Sequence, residues 1–208
     1  MANVSTSQNI LTCATEMFAR YGYDGTIMDS LAERCGANKA SIYYHHHDKA
    51  TLYENALTAL FTPIADAVVG AVMLESDPVR KLECHIKTLA NTCAEHPEFS
   101  AILMREMASG GAKMPLRARK QMQRILVTLN DVLKIGRAEG RLKPADPLII
   151  HFMILGTINM FVASIPMRRS LPVSEGGLQL RDADTEIATL QICETIVSSL
   201  LIEQPTSN

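Results

Sequence analysis

The sequence predicts an all-α fold of about nine helices: an N-terminal three-helix helix-turn-helix domain followed by a C-terminal helical bundle. Three observations carry this. Apolar residues recur at helical spacing along nearly the whole chain, and no segment alternates with a period of two. Two helix starts carry an acid followed by proline, Asp77-Pro78 and Asp146-Pro147. Between Thr26 and Lys49, two short helical stripes are separated by a single glycine, Gly36.

The first helix runs from Ser5 or Thr6 to Tyr21, with Ile10, Leu11, Ala14, Met17, Phe18 and Tyr21 on one face. Gly22 ends it. Thr26 is positioned to cap a second helix, whose apolar side is Met28, Leu31, Ala32 and Cys35. Gly36 accepts the left-handed conformation that a sharp stop requires. Asn38 then caps a third helix, Lys39 to about His46. Asp48 caps a fourth, whose apolar stripe extends from Leu52 to Val72. Pro63 falls inside that stripe and predicts either a kink or a new helix capped by Thr62. Further helices span Pro78 to Glu95, Pro97 to Ala108, Pro115 to Glu139 and Pro147 to Ile165. Pro166 to Asp182 reads as a long connection, and the last helix covers Asp184 to Leu201.

Composition narrows the class. Hydrophobic residues make up 47% of the chain, enough for a sizeable core, but aromatics are only 5% and Trp is absent. Eleven methionines help fill that core, and their flexible side chains suit a cavity that accepts ligands. Five cysteines lie scattered without CxxC spacing, as reduced thiols do in a cytosolic protein. The N-terminus lacks the pattern of a secretory signal. Leu148 to Met167 approaches the length of a membrane span, yet His151, Thr157, Asn159 and Ser164 interrupt it. A cytoplasmic protein without membrane association is expected, with that helix buried by protein on all sides.

Two helices around a glycine-containing turn form the helix-turn-helix pattern, in which the second helix enters the major groove of DNA. Charge does not announce this partner. Net charge is −2, and residues 1–53 hold four Lys/Arg against five Asp/Glu. Other chemistry lacks support. His45, His46 and His47 point about 100° apart on a helix and cannot converge on one ion. Cys93 and His96 share a face, but two ligands do not make a site. No Glu-x-x-His pair, nucleophile elbow, P-loop or dinucleotide fingerprint occurs, so neither catalysis nor a metal or cofactor is expected. Lys113, Arg117, Arg119, Lys120 and Arg124 read as a solvated basic face.

The stretches ILTCATEMFARYGYDGT and LAERCGANKASIYY, followed by Lys49 and Leu52, resemble the TetR family of bacterial transcriptional regulators. The likeness is dense over Ile10–Leu57 and rests on helix order and length beyond residue 60. It implies a DNA-binding domain over 1–48 and a ligand-binding and dimerisation domain over 49–208. It also implies DNA contacts from Thr26, Lys39, Ala40, Ser41, Tyr43, Tyr44, His45 and Lys49, with Thr26, Tyr43 and Lys49 at the phosphate backbone. The chemistry fits. Lys39 offers charge or a donor to guanine, Ser41 bonds a base edge or phosphate, and Ala40 permits close approach or contact with a thymine methyl. His46 stands where the family pattern usually has Phe, and the N-terminal arm is not basic.

The same resemblance implies an effector pocket among the fourth to eighth helices. Its expected lining is Phe61, Leu89, Met104, Met107, Met122, Phe152 and Asn159, with His85 and His151 as polar handles. A dimer interface on the last two long helices is expected from packing and by analogy, through Phe161, Leu190, Cys193, Ile196, Val197 and Leu200. The expected function is a homodimeric repressor on a palindromic double-stranded DNA operator, released by a small apolar or amphipathic effector. The rival expectation is a hydrophobic-ligand carrier of the same fold that has lost DNA binding, which the acidic N-terminal balance and His46 favour.

Overall fold

The computed structural model describes residues 6–170 and 185–202. Among these residues there are ten helices: α1 (Thr6–Gly25), α2 (Met28–Cys35), α3 (Lys39–His46), α4 (Lys49–Met73), α5 (Pro78–Glu95), α6 (Pro97–Ala108), α7 (Leu116–Ala138), α8 (Pro147–Ala163), α9 (Ile165–Ser170) and α10 (Thr185–Leu200). The connection expected over Pro166–Asp182 begins as the short α9, and residues 171–182 lie outside the described residues. The chain gathers into two compact units, Met1–Pro63 with Glu98–Met122 and Ile64–Pro97 with Gln123–Asn208.

Local chemistry explains the boundaries. Asp77 accepts from the Arg80 backbone N–H at 3.1 Å. Asp146 accepts from Leu148 and Ile149 at 2.8 and 3.1 Å. Such caps each contribute roughly 1 kcal/mol. Pro63 does not start a new helix, and α4 runs through it. Both Pro63 and Ala59, whose carbonyl the proline leaves unpaired, lie on the exposed side, where water can satisfy the carbonyl. α4 is long and apolar enough to cross a membrane by length and composition, but Leu52, Leu57, Phe61, Ile64 and Val68 on it are buried by protein.

In the first unit, Ile10, Ala14, Met17 and Phe18 of α1 form a core with Leu31, Ile42, Leu52, Leu57 and Phe61. Phe99, Ile102 and Leu103 of α6 complete it, and the Phe61 and Phe99 rings meet edge to face at 4.7 Å. Met104 and Met107, expected at a ligand cavity, are exposed instead. The inward stripe of α6 is Phe99, Ile102, Leu103 and Glu106, which turns those two methionines to solvent.

In the second unit, α5, α8 and α10 pack on one another. Leu142 folds back over α7 at Gly136, where an added Cβ would lie 2.4 Å from the Leu142 Cδ1. The following strand-like bridge pairs Leu142 with Leu201 and ties α10 down. Cys193, Ile196, Val197 and Leu200 are buried inside the single chain, so they are core rather than the contact surface expected of them. Their face of α10 is spent on the neighbouring helices. The exposed apolar face lies elsewhere: Leu148, Ile149, Phe152, Met153 and Met160 on α8, and Ile187 and Leu190 on α10. Phe152 therefore belongs to this outer face and not to a cavity wall, while Phe161 is half-buried beneath the Arg168 guanidinium. Of the five cysteines, Cys35, Cys93 and Cys193 are buried and all five are free thiols.

His85, His151 and Asn159 are buried in the second unit. Neither ring nitrogen of His85 has a hydrogen-bond partner, nor do His151 Nδ1 and Asn159 Oδ1. Burial, with a smaller contribution from nearby His151, lowers His85 to about 3. Between that value and the ordinary 6.5, the unfolded chain binds a proton that the folded chain refuses. His85 therefore favours folding fully above pH 6.5, and this contribution is lost as pH falls towards 3. Between pH 8 and pH 5 His85 is expected to change the stability measured by chemical denaturation by about 2 kcal/mol, and His85→Leu should remove that share. An unchanged pH dependence in the variant would contradict this assignment.

Candidate nucleic-acid interface

α2 and α3 are each eight residues long, too short to persist alone. Their ends are held locally. Gly36 adopts φ 62°, ψ 28°, and the Gly36 and Ala37 N–H groups close the last turn of α2 on Glu33 and Ala32. No atom lies within 4 Å of a Cβ added there, so glycine is required by the backbone and not by space. Asn38 Oδ1 accepts from the Ser41 N–H at 2.7 Å and starts α3. Ile42 and His46, one turn apart, face inward. Lys39, Ala40, Tyr43, Tyr44 and His45 are exposed and Ser41 is half-exposed. The eight residues therefore divide as a groove-entering helix requires, with Tyr44 81% exposed and Tyr43 38% exposed on the outer side.

Two expectations change. The N-cap of α2 is Ile27, not Thr26. Thr26 is buried and its hydroxyl donates back to the Gly22 carbonyl at 2.8 Å, so it is a strut of the α1–α2 turn and presents no hydroxyl to a phosphate. Lys49 is half-buried, with its ammonium 3.4 Å from the Asp24 carbonyl and over the Tyr23 ring.

His46 occupies the base of α3. Its Nδ1 lies 3.3 Å from the Asn55 amide nitrogen, whereas Nε2 makes no hydrogen bond of ordinary geometry. Burial lowers its affinity for a proton, and His45 and His47 lower it further against an opposing Ser7 backbone contact. His47 then turns the chain at φ 59°, ψ −59°, with the Asp48 N–H donating to the His46 carbonyl at 2.7 Å. Such a γ-turn is strained for a residue other than glycine. Asp48 immediately caps α4 through the Thr51 N–H, which lowers its carboxyl below the usual range.

The module's basic side chains are engaged internally. Lys39 pairs with Asp29 at 2.8 Å, and that bond raises its proton affinity. Arg34 pairs with Glu16 at 2.6 Å. Arg20 lies over the Tyr21 ring. Both ion pairs are exposed and easily exchanged for another anion. Asp29 and Glu16 escaped the sequence reading because spacing along one helix says nothing about a partner across a turn.

Comparison with known proteins agrees with this geometry. Residues 10–56 match the profile described as bacterial regulatory proteins, tetR family, and residues 78–171 match the tetracyclin repressor-like C-terminal domain. The HTH-type transcriptional regulator RutR of Escherichia coli is 22% identical over 173 residues, which is 83% of this chain and 79% of that protein. The HTH-type transcriptional repressor NicS of Pseudomonas putida is 24% identical over 162 residues, covering 76% of each. Among solved structures, the transcriptional regulator FadR of Bacillus subtilis in complex with stearoyl-CoA shares the fold with TM-score 0.69 and 18% identity, over 91% of this chain and 97% of its own.

Two measurements test the interface. His46→Phe removes a buried ring nitrogen that lacks a good partner and should stabilise the protein by about 1–3 kcal/mol. The gain should be larger at pH 6 than at pH 8, because a lowered histidine loses its contribution as pH falls through the range below 6.5; equal thermal midpoints for the variant and the parent at both pH values would contradict it. Lys39→Ala should weaken DNA binding and reduce the salt slope by about one. Asp29→Asn should tighten binding severalfold at low salt, and an unchanged affinity would show that the pair does not restrain Lys39.

Proposed function

The chain belongs to the TetR family of bacterial regulatory proteins, and from that premise we propose that it acts as a homodimeric repressor released from a palindromic operator by a small apolar or amphipathic ligand. It is a DNA-binding transcriptional regulator, and its family is regulatory rather than enzymatic. The observation that carries the DNA-facing part is the division of α3 into an inward pair, Ile42 and His46, and an outward polar and aromatic face. Lys39, Ala40, Ser41, Tyr43, Tyr44 and His45 are the residues assigned to the groove and its phosphates, with Lys49 beside them.

An eight-residue helix reads few base pairs, and two copies related by a twofold axis read half-sites about 34–36 Å apart. The exposed apolar face of α8 and α10 supports such pairing. Phe152, Met153, Met160 and Leu190 together leave a surface that a second copy would cover. Phe161, at its edge, is kept in the proposed interface.

Ligand release follows from a two-state equilibrium. A ligand that binds better to the conformation with the wrong spacing of recognition helices lowers operator affinity. The buried unpaired atoms of His85, His151 and Asn159, with Leu89 nearby on α5, support a ligand carrying a polar group that they can bond. Both histidines are held neutral by burial, so an uncharged polar head on an apolar body suits them. FadR, a fold neighbour, is a complex with stearoyl-CoA, which is consistent with an apolar ligand in this architecture. Phe61 and Met122 belong to the other compact unit and are kept only as secondary candidates.

The carrier reading draws on the internally paired Lys39 and Arg34. A salt series of mobility shifts on the DNA upstream of the protein's own coding region separates the two. A steep loss of affinity with salt supports the regulator, and no shift at low salt supports the carrier. Phe152→Glu with Leu190→Glu is expected to give a folded monomer whose operator affinity falls at least a hundredfold. A variant that remains dimeric by sedimentation would exclude this face as the interface.

A further inference from the structure

A cavity of about 290 Å³ opens within the first unit, away from α3. Its walls are the last turn of α1, Gly22 to Gly25, set off from the rest of that helix by a break at Gly22 (φ 73°, ψ 177°), together with Tyr53 of α4 and α6 with the loop after it. One side is aromatic. The Phe18 and Tyr23 rings each meet Tyr53 edge to face, at 4.7 and 5.0 Å between centroids. The other side carries Glu106, which is only 5% exposed.

Glu106 is half satisfied. Tyr53 donates its hydroxyl hydrogen to Oε1 at 2.6 Å. Burial, then this bond, pushes the Tyr53 hydroxyl up, which keeps it a donor. Oε2 is buried and has no partner. The adjacent Arg105 does not neutralise it, because its guanidinium donates to the Ala19 and Arg20 carbonyls at 2.9 and 2.6 Å, closing the end of α1. Lys113, at the cavity rim, holds its ammonium 5.2 Å from the Tyr23 ring centre. Among the described residues Glu106 forms no ion pair.

A buried carboxylate with one oxygen unpaired is costly unless a donor reaches it. Here Glu106 lines the cavity beside aromatic rings, and a carboxylate next to aromatic rings is the pairing that recognises organic cations. We propose that this cavity is a second ligand site, separate from any effector pocket in the other unit, and that it takes a small aromatic cation of the amine or amidine class. The nitrogen donates to Glu106 Oε2, and the ring lies against Phe18, Tyr23 and Tyr53. The volume is at the lower end of the ~300–1,000 Å³ typical of ligand sites, which suits one ring and a short head group. Because Tyr23, Asp24 and Gly25 form one wall and lead directly into α2, occupancy is felt by the helix-turn-helix itself. The site does not depend on the repressor reading.

Isothermal titration of the full chain with benzamidine, benzamide and benzoate tests this. Benzamidine is expected to bind once per chain with sub-millimolar affinity, neutral benzamide at least tenfold more weakly, and benzoate not measurably. Glu106→Gln keeps an acceptor for Tyr53 and should weaken benzamidine at least tenfold. Should that variant fail to fold, Ala112→Phe decides. Ala112 is exposed at the rim and bonds to nothing in the cluster, so phenylalanine there fills the cavity without disturbing Glu106. Loss of benzamidine binding with an unchanged thermal midpoint supports the site. Absence of benzamidine binding to the parent chain overturns it, as does unchanged binding in Glu106→Gln or Ala112→Phe. Tighter binding of benzoate than benzamidine also overturns it, because Lys113 and Arg105 would then set the ligand's charge.

Discussion

An eight-residue helix cannot hold its own shape in water, and the DNA-facing surface of this protein is such a helix. Everything around α3 answers that constraint. Asn38 ties its first turn, Ile42 is fully buried beneath it, and the His47 turn closes its end within a single residue. The exposed face contributes little to this hold, so Lys39, Ala40, Tyr43 and Tyr44, the proposed contact residues, are not fixed by packing. Stability and reading are thus divided between two sides of the same two turns.

The weak basic character of the module takes on a physical meaning from its ion pairs. Carboxylates at Asp29 and Glu16 occupy the cations that phosphates would claim. Non-specific affinity, which depends on counterion release, is damped by such competition. Under the proposed contacts, base recognition then carries a larger share of the discrimination between sites.

Much of the fold was legible in the sequence because its signals are local. Asp77-Pro78, Asp146-Pro147, Asn38 and Gly36 each act within one turn of helix, and each marks a boundary in the structure. Sidedness was less legible where a helix is apolar all round. In α8 and α10 the sequence pattern does not say which apolar stripe meets its own chain, so Cys193 and Ile196 were expected outside while Ile187 lies there. Thr26 had the right residue type for a cap but sits one position early, and its hydroxyl is claimed by Gly22. Glu106 and its cavity left no trace in any motif, since they arise from residues more than fifty positions apart in the chain meeting through the fold.

The His47 turn carries one more implication. It leaves no slack between α3 and the first turn of α4: a γ-turn and a helix cap follow each other without a spare residue. The direction of α3 is therefore set by the two dihedrals of His47 relative to the start of α4. A glycine inserted at this junction would add a freely rotating residue between two helices that now share none.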